Sequence, residues 1–154
     1  MLHMARKAVE DEEMWGIVGL VHDLDYEKFP EQHCSKTKEL LEASGWPEDY
    51  VRAVLSHGWS ICTDLEPQTL LEKTLYTIDE LSGFVSACAL VRPSKSVMDL
   101  EAKSVRKKWK QKSFAAGVDR GVVDQGIELL GSTSAEVTGE VLVALRGAPA
   151  DVDP

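Results

Sequence analysis

The chain has 154 residues and a net charge of −9, with 44% hydrophobic and 28% charged residues. This balance is typical of a globular domain and excludes a disordered or fibrous chain. The acidic surplus argues against general nucleic-acid binding. No apolar stretch reaches the length of a membrane span, so we expect a cytoplasmic protein without a membrane partner.

The three cysteines, Cys34, Cys62 and Cys88, lie far apart and form no Cys-x-x-Cys pair. This spacing predicts neither a disulfide framework nor a thiolate zinc site. We interpret all three as small apolar side chains of the core. Cys34 is also a candidate metal ligand because it directly follows His33.

The hydrophobic pattern predicts helices along almost the whole chain and no strands. Residues 1–9 resemble the end of a helix, and Asp11 can cap the next one, whose apolar stretch 15–21 predicts a buried helix. The later helices are predicted at roughly 31–44, 46–57, 67–91, 96–110, 119–130 and 133–145. We therefore expect one all-α domain over residues 1–146, followed by a flexible tail at 147–154.

A His-Asp pair, His22 and Asp23, stands at the end of the apolar second helix. Ionisable groups in that position are costly unless they are paired or bind a ligand. An imidazole beside a carboxylate offers nitrogen and oxygen donors that suit a divalent metal ion. The alternative for the pair alone is a polar helix end without a ligand.

Three further residues lie where a helical bundle could bring them to the same cavity. His33 opens the third predicted helix, His57 ends the fourth, and Asp79 borders an apolar face of the fifth. Helix bundles hold metal ions with side chains that project inward in this way. The structural alternatives are a helix-opening polar residue for His33, a partner of the helix dipole for His57 and a buried salt bridge for Asp79.

The order of these residues resembles the HD-domain superfamily of metal-dependent phosphohydrolases, and among them the small stand-alone hydrolases of the HDIG-type group. The resembling set is Val21-His22-Asp23, His33, His57 and Asp79. Residues 70–84 and 112–120 also look like that group, and the resemblance covers roughly residues 5–131. It implies an all-α, HD-domain-like helical bundle.

The resemblance also implies one or two divalent metal ions (Mn, Fe, Zn, Mg or similar) and hydrolysis of a small phosphate ester or nucleotide by a metal-activated water. His22, Asp23 and Asp79 correspond to primary metal ligands, with Asp23 a candidate bridge. His33 and His57 correspond to ligands of a second metal. Asp23 and His57 are the expected catalytic residues.

One ligand of the family has no clear counterpart in this chain. The family carries a histidine on an earlier helix, whereas His3 is the only histidine before His22 and lies close to it. We therefore expect a chain shortened at its N-terminus, with His3 a candidate substitute. Two alternatives stay open: a metal- or nucleotide-binding protein with impaired catalysis, and a helical interaction domain without catalysis. An apolar face left exposed by the missing helix would favour a homo-oligomer.

Positive charge is concentrated between Arg92 and Lys112. This segment contains eight basic and two acidic residues, which give a local charge of +6. Such a field attracts a phosphate-bearing substrate or nucleotide. Lys103 and Lys112 are the candidate phosphate-binding residues, and a solvated helix face is the alternative. Trp109 is interpreted as the anchor of this basic helix to the core.

Three carboxylates near the candidate ligands, Asp25, Glu27 and Glu80, offer a general acid or hydrogen bonds to the ligands. The alternative is that they are ordinary surface carboxylates of an acidic protein.

Overall fold

The computed structural model describes residues 1–148, and these contain helices and turns but no strand, as predicted. The helices are α1 (Leu2–Ala8), α2 (Glu12–Val21), α3 (Ser35–Ala43), α4 (Glu48–Leu55), α5 (Leu70–Leu90), α6 (Ala102–Trp109), α7 (Arg120–Leu129) and α8 (Ser134–Arg146). Short 3-10 turns occur at Pro30–Gln32 and Ser56–Gly58. None of the described helices is both long and apolar enough to span a bilayer. Residues 149–154 of the predicted tail at 147–154 lie outside the described residues.

The chain divides into two compact units, Met1–Tyr76 and a second that begins at Thr77, and the division falls within α5. In the first unit, α2 packs against α1 and α4, and α3 packs against α4. The core of this unit consists of Ala5, Trp15, Val18, Cys34, Leu41, Val51, Ala53, Val54, Leu55, Leu71 and Leu75. A single domain over residues 1–146 stays a prediction.

Aromatic contacts organise the second unit, in which α8 packs against α6 and α7. The buried ring of Phe84 lies 4.7 Å from that of Trp109 and 5.5 Å from that of Phe114, measured between centroids. The Arg120 guanidinium lies over the rings of Phe84 and Trp109 and donates a hydrogen bond to the Phe114 carbonyl oxygen. Trp109 therefore anchors α6 to the core of its unit, as predicted.

The start of α2 confirms the expected cap, because the Asp11 carboxylate accepts the N–H groups of Glu13 and Met14. The prediction of a buried helix is correct for only one face of α2. Trp15 and Val18 are buried, but Leu20 is 82% exposed. Only the face that packs against α1 and α4 is covered.

Side-chain hydrogen bonds explain why α5 and α6 begin later than the sequence pattern predicts. α5 begins at Leu70 rather than near Pro67, because Thr69 and Glu72 form a reciprocal capping box through each other's backbone N–H groups. α6 begins at Ala102 because the Arg92 guanidinium binds the Asp99 carboxylate at 2.7 Å and folds the preceding segment into turns.

The third helix also begins later, at Ser35, because Cys34 has a left-handed backbone with φ = 65°. That conformation cannot continue a right-handed helix from the preceding 3-10 turn.

The capping box of α8 generates a stability prediction for the second unit. Thr133 Oγ1 accepts the Glu136 N–H at 3.2 Å, and the Glu136 carboxylate accepts the Thr133 N–H at 2.9 Å. Thr133→Ala removes the cap and should lower the free energy of unfolding by about 1 kcal/mol, measured by urea denaturation. Ser134→Ala, at the exposed neighbouring position, is the control. Equal losses in the two variants would contradict the assigned cap.

Candidate metal centre

The residues after α2 form a tight series of turns that carries three candidate side chains. The Leu24, Tyr26 and Phe29 N–H groups donate to the carbonyl oxygens of Val21, Asp23 and Asp25 at 3.1, 3.0 and 2.7 Å in that order. Backbone hydrogen bonds thus hold the His-Asp pair against the end of α2. His33 follows the Pro30–Gln32 turn, and His57 lies in the 3-10 turn that extends α4.

These segments bring three imidazoles around one carboxylate. Asp23 Oδ1 lies 3.4 Å from Nε2 of His57 and 3.6 Å from Nε2 of His33, and Asp23 Oδ2 lies 3.5 Å from Nε2 of His22. Nε2 of His33 and Nε2 of His57 are 3.1 Å apart. The His57 side chain is 3% exposed, whereas that of Asp23 is 47% exposed. The cluster is therefore buried on the histidine side and open to solvent at Asp23.

The second nitrogen of each imidazole determines where the proton sits. Nδ1 of His22 contacts the Gly19 carbonyl oxygen at 2.9 Å, and Nδ1 of His57 contacts the Val54 carbonyl oxygen. A carbonyl oxygen only accepts hydrogen bonds, so Nδ1 is the donor in both rings. In the neutral rings, Nε2 then carries a lone pair directed at the cluster.

Asp25 fixes the third imidazole in the same way. Its side chain is fully buried; Oδ1 lies 2.8 Å from Nδ1 of His33, and Oδ2 accepts the Thr37 N–H at 2.8 Å. A carboxylate that holds the far nitrogen of a histidine is the usual support of a metal-binding imidazole. The geometry agrees with the expectation that Asp25 supplies hydrogen bonds to a candidate ligand.

Both carboxyl groups have lowered pKa values. When His57 is protonated, its Nε2–H donates to Asp23 and lowers the pKa of that carboxyl; burial opposes this, and the positive charges of protonated His22, His57 and His33 add to the lowering. Burial raises the pKa of Asp25, but the hydrogen bonds from His33 and Thr37 outweigh it and leave the pKa below its ordinary value. At neutral pH both side chains are carboxylates and can face donors or cations.

The donor set fits a first-row divalent ion. With metal–ligand bonds of about 2.0–2.2 Å, tetrahedral ligand atoms lie roughly 3.3–3.6 Å apart. The three separations among Nε2 of His33, Nε2 of His57 and Oδ1 of Asp23 are 3.1, 3.4 and 3.6 Å. Two lone pairs that face each other at 3.1 Å repel unless a proton or a cation lies between them. Asp23, His33 and His57 therefore form a group that could hold a metal ion.

The other candidate residues lie on α1, on α5 and in the turns after α2. His3 is on α1 and belongs to none of the potential metal-binding groups of the described chain. Asp79 lies on α5 in the second unit, and its role as a primary ligand stays a prediction. Glu80 accepts the Asp119 N–H at 3.2 Å, and Glu27 is exposed.

The two candidate phosphate-binding lysines are on the second unit. Lys103 is exposed on α6, where its Nζ lies 2.6 Å from a Glu101 carboxylate oxygen. Lys112 is exposed in the turn that follows α6. Their contact with phosphate stays a prediction, as does the division of the ligands between two metal ions.

The expectation of three unpaired cysteines is wrong, because Cys34 and Cys62 form a disulfide. The residues are 28 positions apart, and their pairing depends on a loop that returns from His57 to the start of α3. No short sequence motif encodes that return. Cys88 is the buried free cysteine, as expected for a core side chain.

Comparison of the chain with protein-family models, curated protein sequences and solved structures finds no match. The resemblance to HD-domain phosphohydrolases therefore remains an expectation based on the order of the candidate ligands.

The role of Asp25 can be tested by replacing one oxygen. In Asp25→Asn, one of the two donors, His33 or the Thr37 N–H, faces an amide NH₂ and loses its hydrogen bond. We expect about 1–3 kcal/mol lower stability and roughly 10- to 100-fold weaker zinc binding, measured by urea denaturation and by competition with a chromogenic chelator. Asp64→Asn, at an exposed position, is the matched control. Unchanged zinc affinity in Asp25→Asn would contradict the assignment.

Proposed function

We propose that this protein is a metal-dependent phosphohydrolase that acts on a small phosphate ester or a nucleotide. The observation that supports the proposal is the convergence of Nε2 of His33, Nε2 of His57 and the Asp23 carboxylate, with Nδ1 of both rings committed to oxygen atoms. The reaction class follows from the resemblance of the ligand order to HD-domain hydrolases.

The charge of the cluster explains why a cation would be needed. Asp23 and Asp25 give the site two negative charges when the imidazoles are neutral, and a phosphate ester approaching Asp23 would be repelled. A bound divalent ion would neutralise these two charges, and it would supply a lowered pKa of water and polarisation of a phosphoryl oxygen. His33 and His57, together with Asp23, would hold that ion. Nε2 of His22 lies 3.5 Å from the same Asp23 carboxylate.

The protein side chains have distinct tasks in this proposal. Asp23 is half exposed and ionised, so it can accept a hydrogen bond from the water that attacks phosphorus. The buried His57 ring is held through Nδ1 by the Val54 carbonyl and keeps its Nε2 directed at Asp23. Asp25 holds His33 in the same manner. Because each contact fixes an orientation before substrate arrives, little reorganisation is needed during the reaction.

Lys103 and Lys112 complete the proposal as the residues that contact substrate phosphate. The Glu101 partner of Lys103 would have to be displaced by a phosphate group. Lys112 is exposed in its turn, so we expect the larger effect on substrate binding from Lys112.

The proposal is tested by metal content and turnover together. Asp23→Asn and His57→Asn should reduce manganese-dependent hydrolysis of p-nitrophenyl phosphate and nucleoside monophosphates by roughly 100-fold or more, and should lower bound metal measured by elemental mass spectrometry. Asp64→Asn and His3→Asn remove the same functional groups outside the cluster. Both controls should keep the wild-type values of metal content and turnover.

Three results would overturn the proposal. Full turnover in Asp23→Asn would exclude the assigned site. Bound metal without turnover of any phosphate ester would indicate a metal-binding protein with impaired catalysis. The absence of bound metal after supplementation, with normal helicity, would favour a helical interaction domain.

A further inference from the structure

The Cys34–Cys62 disulfide lies directly beside the metal centre. Cys34 follows His33 in the chain, and a His33 ring nitrogen and the two Sγ atoms all lie within 4.8 Å of one another. One imidazole and two cysteine sulfurs form the donor set that Zn²⁺ and other thiophilic cations prefer. The thiolate, and not the disulfide sulfur, is the metal ligand, so the bond masks this set.

We infer that reduction of this disulfide opens a second metal site, in which His33, Cys34 and Cys62 bind a thiophilic divalent cation of the zinc class. The inference stands on these three side chains and does not require phosphohydrolase activity.

The redox step requires an external thiol. A thiolate attacks Cys62 Sγ, the S–S bond breaks, and Cys34 leaves as a thiolate. A second thiol resolves the mixed disulfide, so one protein disulfide and two thiols give two cysteine thiols and one external disulfide. Cation binding then releases one proton from each cysteine thiol. Cys62 is the more exposed of the two residues and Cys34 is fully buried, so we place the attack at Cys62.

Backbone hydrogen bonds hold Cys62 in place independently of the disulfide. The Gly58 carbonyl oxygen accepts the N–H groups of Ile61, Cys62 and Thr63 at 2.9, 2.9 and 3.0 Å. Thr63 Oγ1 donates to the Leu55 carbonyl at 3.0 Å, which ties the loop to α4. These bonds remain when the two sulfurs separate.

Gly58 provides the space that both sulfurs occupy. A Cβ atom at this position would overlap the Sγ atoms of Cys34 and Cys62. The backbone of the loop therefore approaches the sulfur pair closely, and only glycine permits this approach.

Cys34 is positioned by the start of α3. Its carbonyl oxygen accepts the Lys38 N–H at 2.9 Å, and the Ser35 N–H donates to the His33 carbonyl at 2.8 Å. Its left-handed backbone is an uncommon conformation for a residue with a side chain, and such conformations cluster at ligand sites. The reduced thiols therefore stay near each other and near His33.

His33 links the two metal sites. Its Nδ1 is held by Asp25, so Nε2 is the nitrogen left to bind a cation, and Nε2 also faces Asp23 and His57. One ring nitrogen serves one cation at a time. Reduction would thus draw His33 away from the Asp23–His57 group and change which cation the protein retains.

Cobalt provides a direct test, because thiolate bound to Co²⁺ gives a near-ultraviolet charge-transfer band. Two samples of the full chain are titrated with Co²⁺ under anaerobic conditions. In one sample the disulfide is intact, and in the other it has been reduced by a phosphine. The reduced wild type and Cys88→Ala should give the band, whereas the oxidised wild type, Cys34→Ala and Cys62→Ala should not. Cys88 is a suitable control because it is buried, and burial raises the pKa of its thiol to about 11.

Two results would overturn the inference: no band in the reduced wild type that retains its helical circular dichroism, or a band of equal strength in Cys62→Ala. Asp23→Ala separates this site from the proposed hydrolase centre. It should lose metal-dependent turnover and keep the band of the reduced protein. Loss of the band in Asp23→Ala would show a single shared site and would also overturn the inference.

Discussion

The buried carboxylate of Asp25 is the contact on which the candidate site depends. A fully buried charge is costly unless it is paired, and both oxygens of Asp25 accept N–H donors. The Thr37 N–H belongs to the first turn of α3, where donors lack partners within the helix and negative charge is favoured. The other oxygen orients His33. One carboxylate thus fixes both the start of α3 and the direction of His33 Nε2.

This constraint places two imidazole nitrogens opposite each other. His33 Nε2 is directed at His57 Nε2, which the Val54 carbonyl orients independently, and Asp23 lies beside both. A proton or a cation has to lie between the two nitrogens. The hydrogen bonds at Nδ1 of each ring maintain this repulsion between the two nitrogens. An unfavourable arrangement of this kind is expected at a functional site rather than in a core selected for packing alone.

The sequence predicts the helical fold and most of the candidate cluster, because both depend on local signals. The Asp11 cap and the helix-ending positions of His22, Asp23 and His57 are read directly from the chain. The capping pair Thr69 and Glu72 was also readable and sets the true start of α5.

Long-range geometry explains what the sequence could not predict. The disulfide requires the left-handed backbone of Cys34 and the loop around Gly58, which no spacing rule reveals. The two contacts of Asp25 depend on how the turns after α2 place its side chain against His33 and the first turn of α3. Asp25 could therefore be predicted as a supporting group, but its two partners could not. The roles of Asp79 and the basic lysines stay predictions.

The most direct test of the central claim is long-range ¹H–¹⁵N NMR of the histidine side chains in the oxidised protein, before and after addition of Zn²⁺. We predict that Nδ1 carries the proton in His33 and His57, and that zinc shifts both Nε2 resonances while those of His3 stay unchanged. A neutral His33 or His57 ring protonated at Nε2, or Nε2 resonances that do not respond to saturating zinc, would contradict the candidate metal centre.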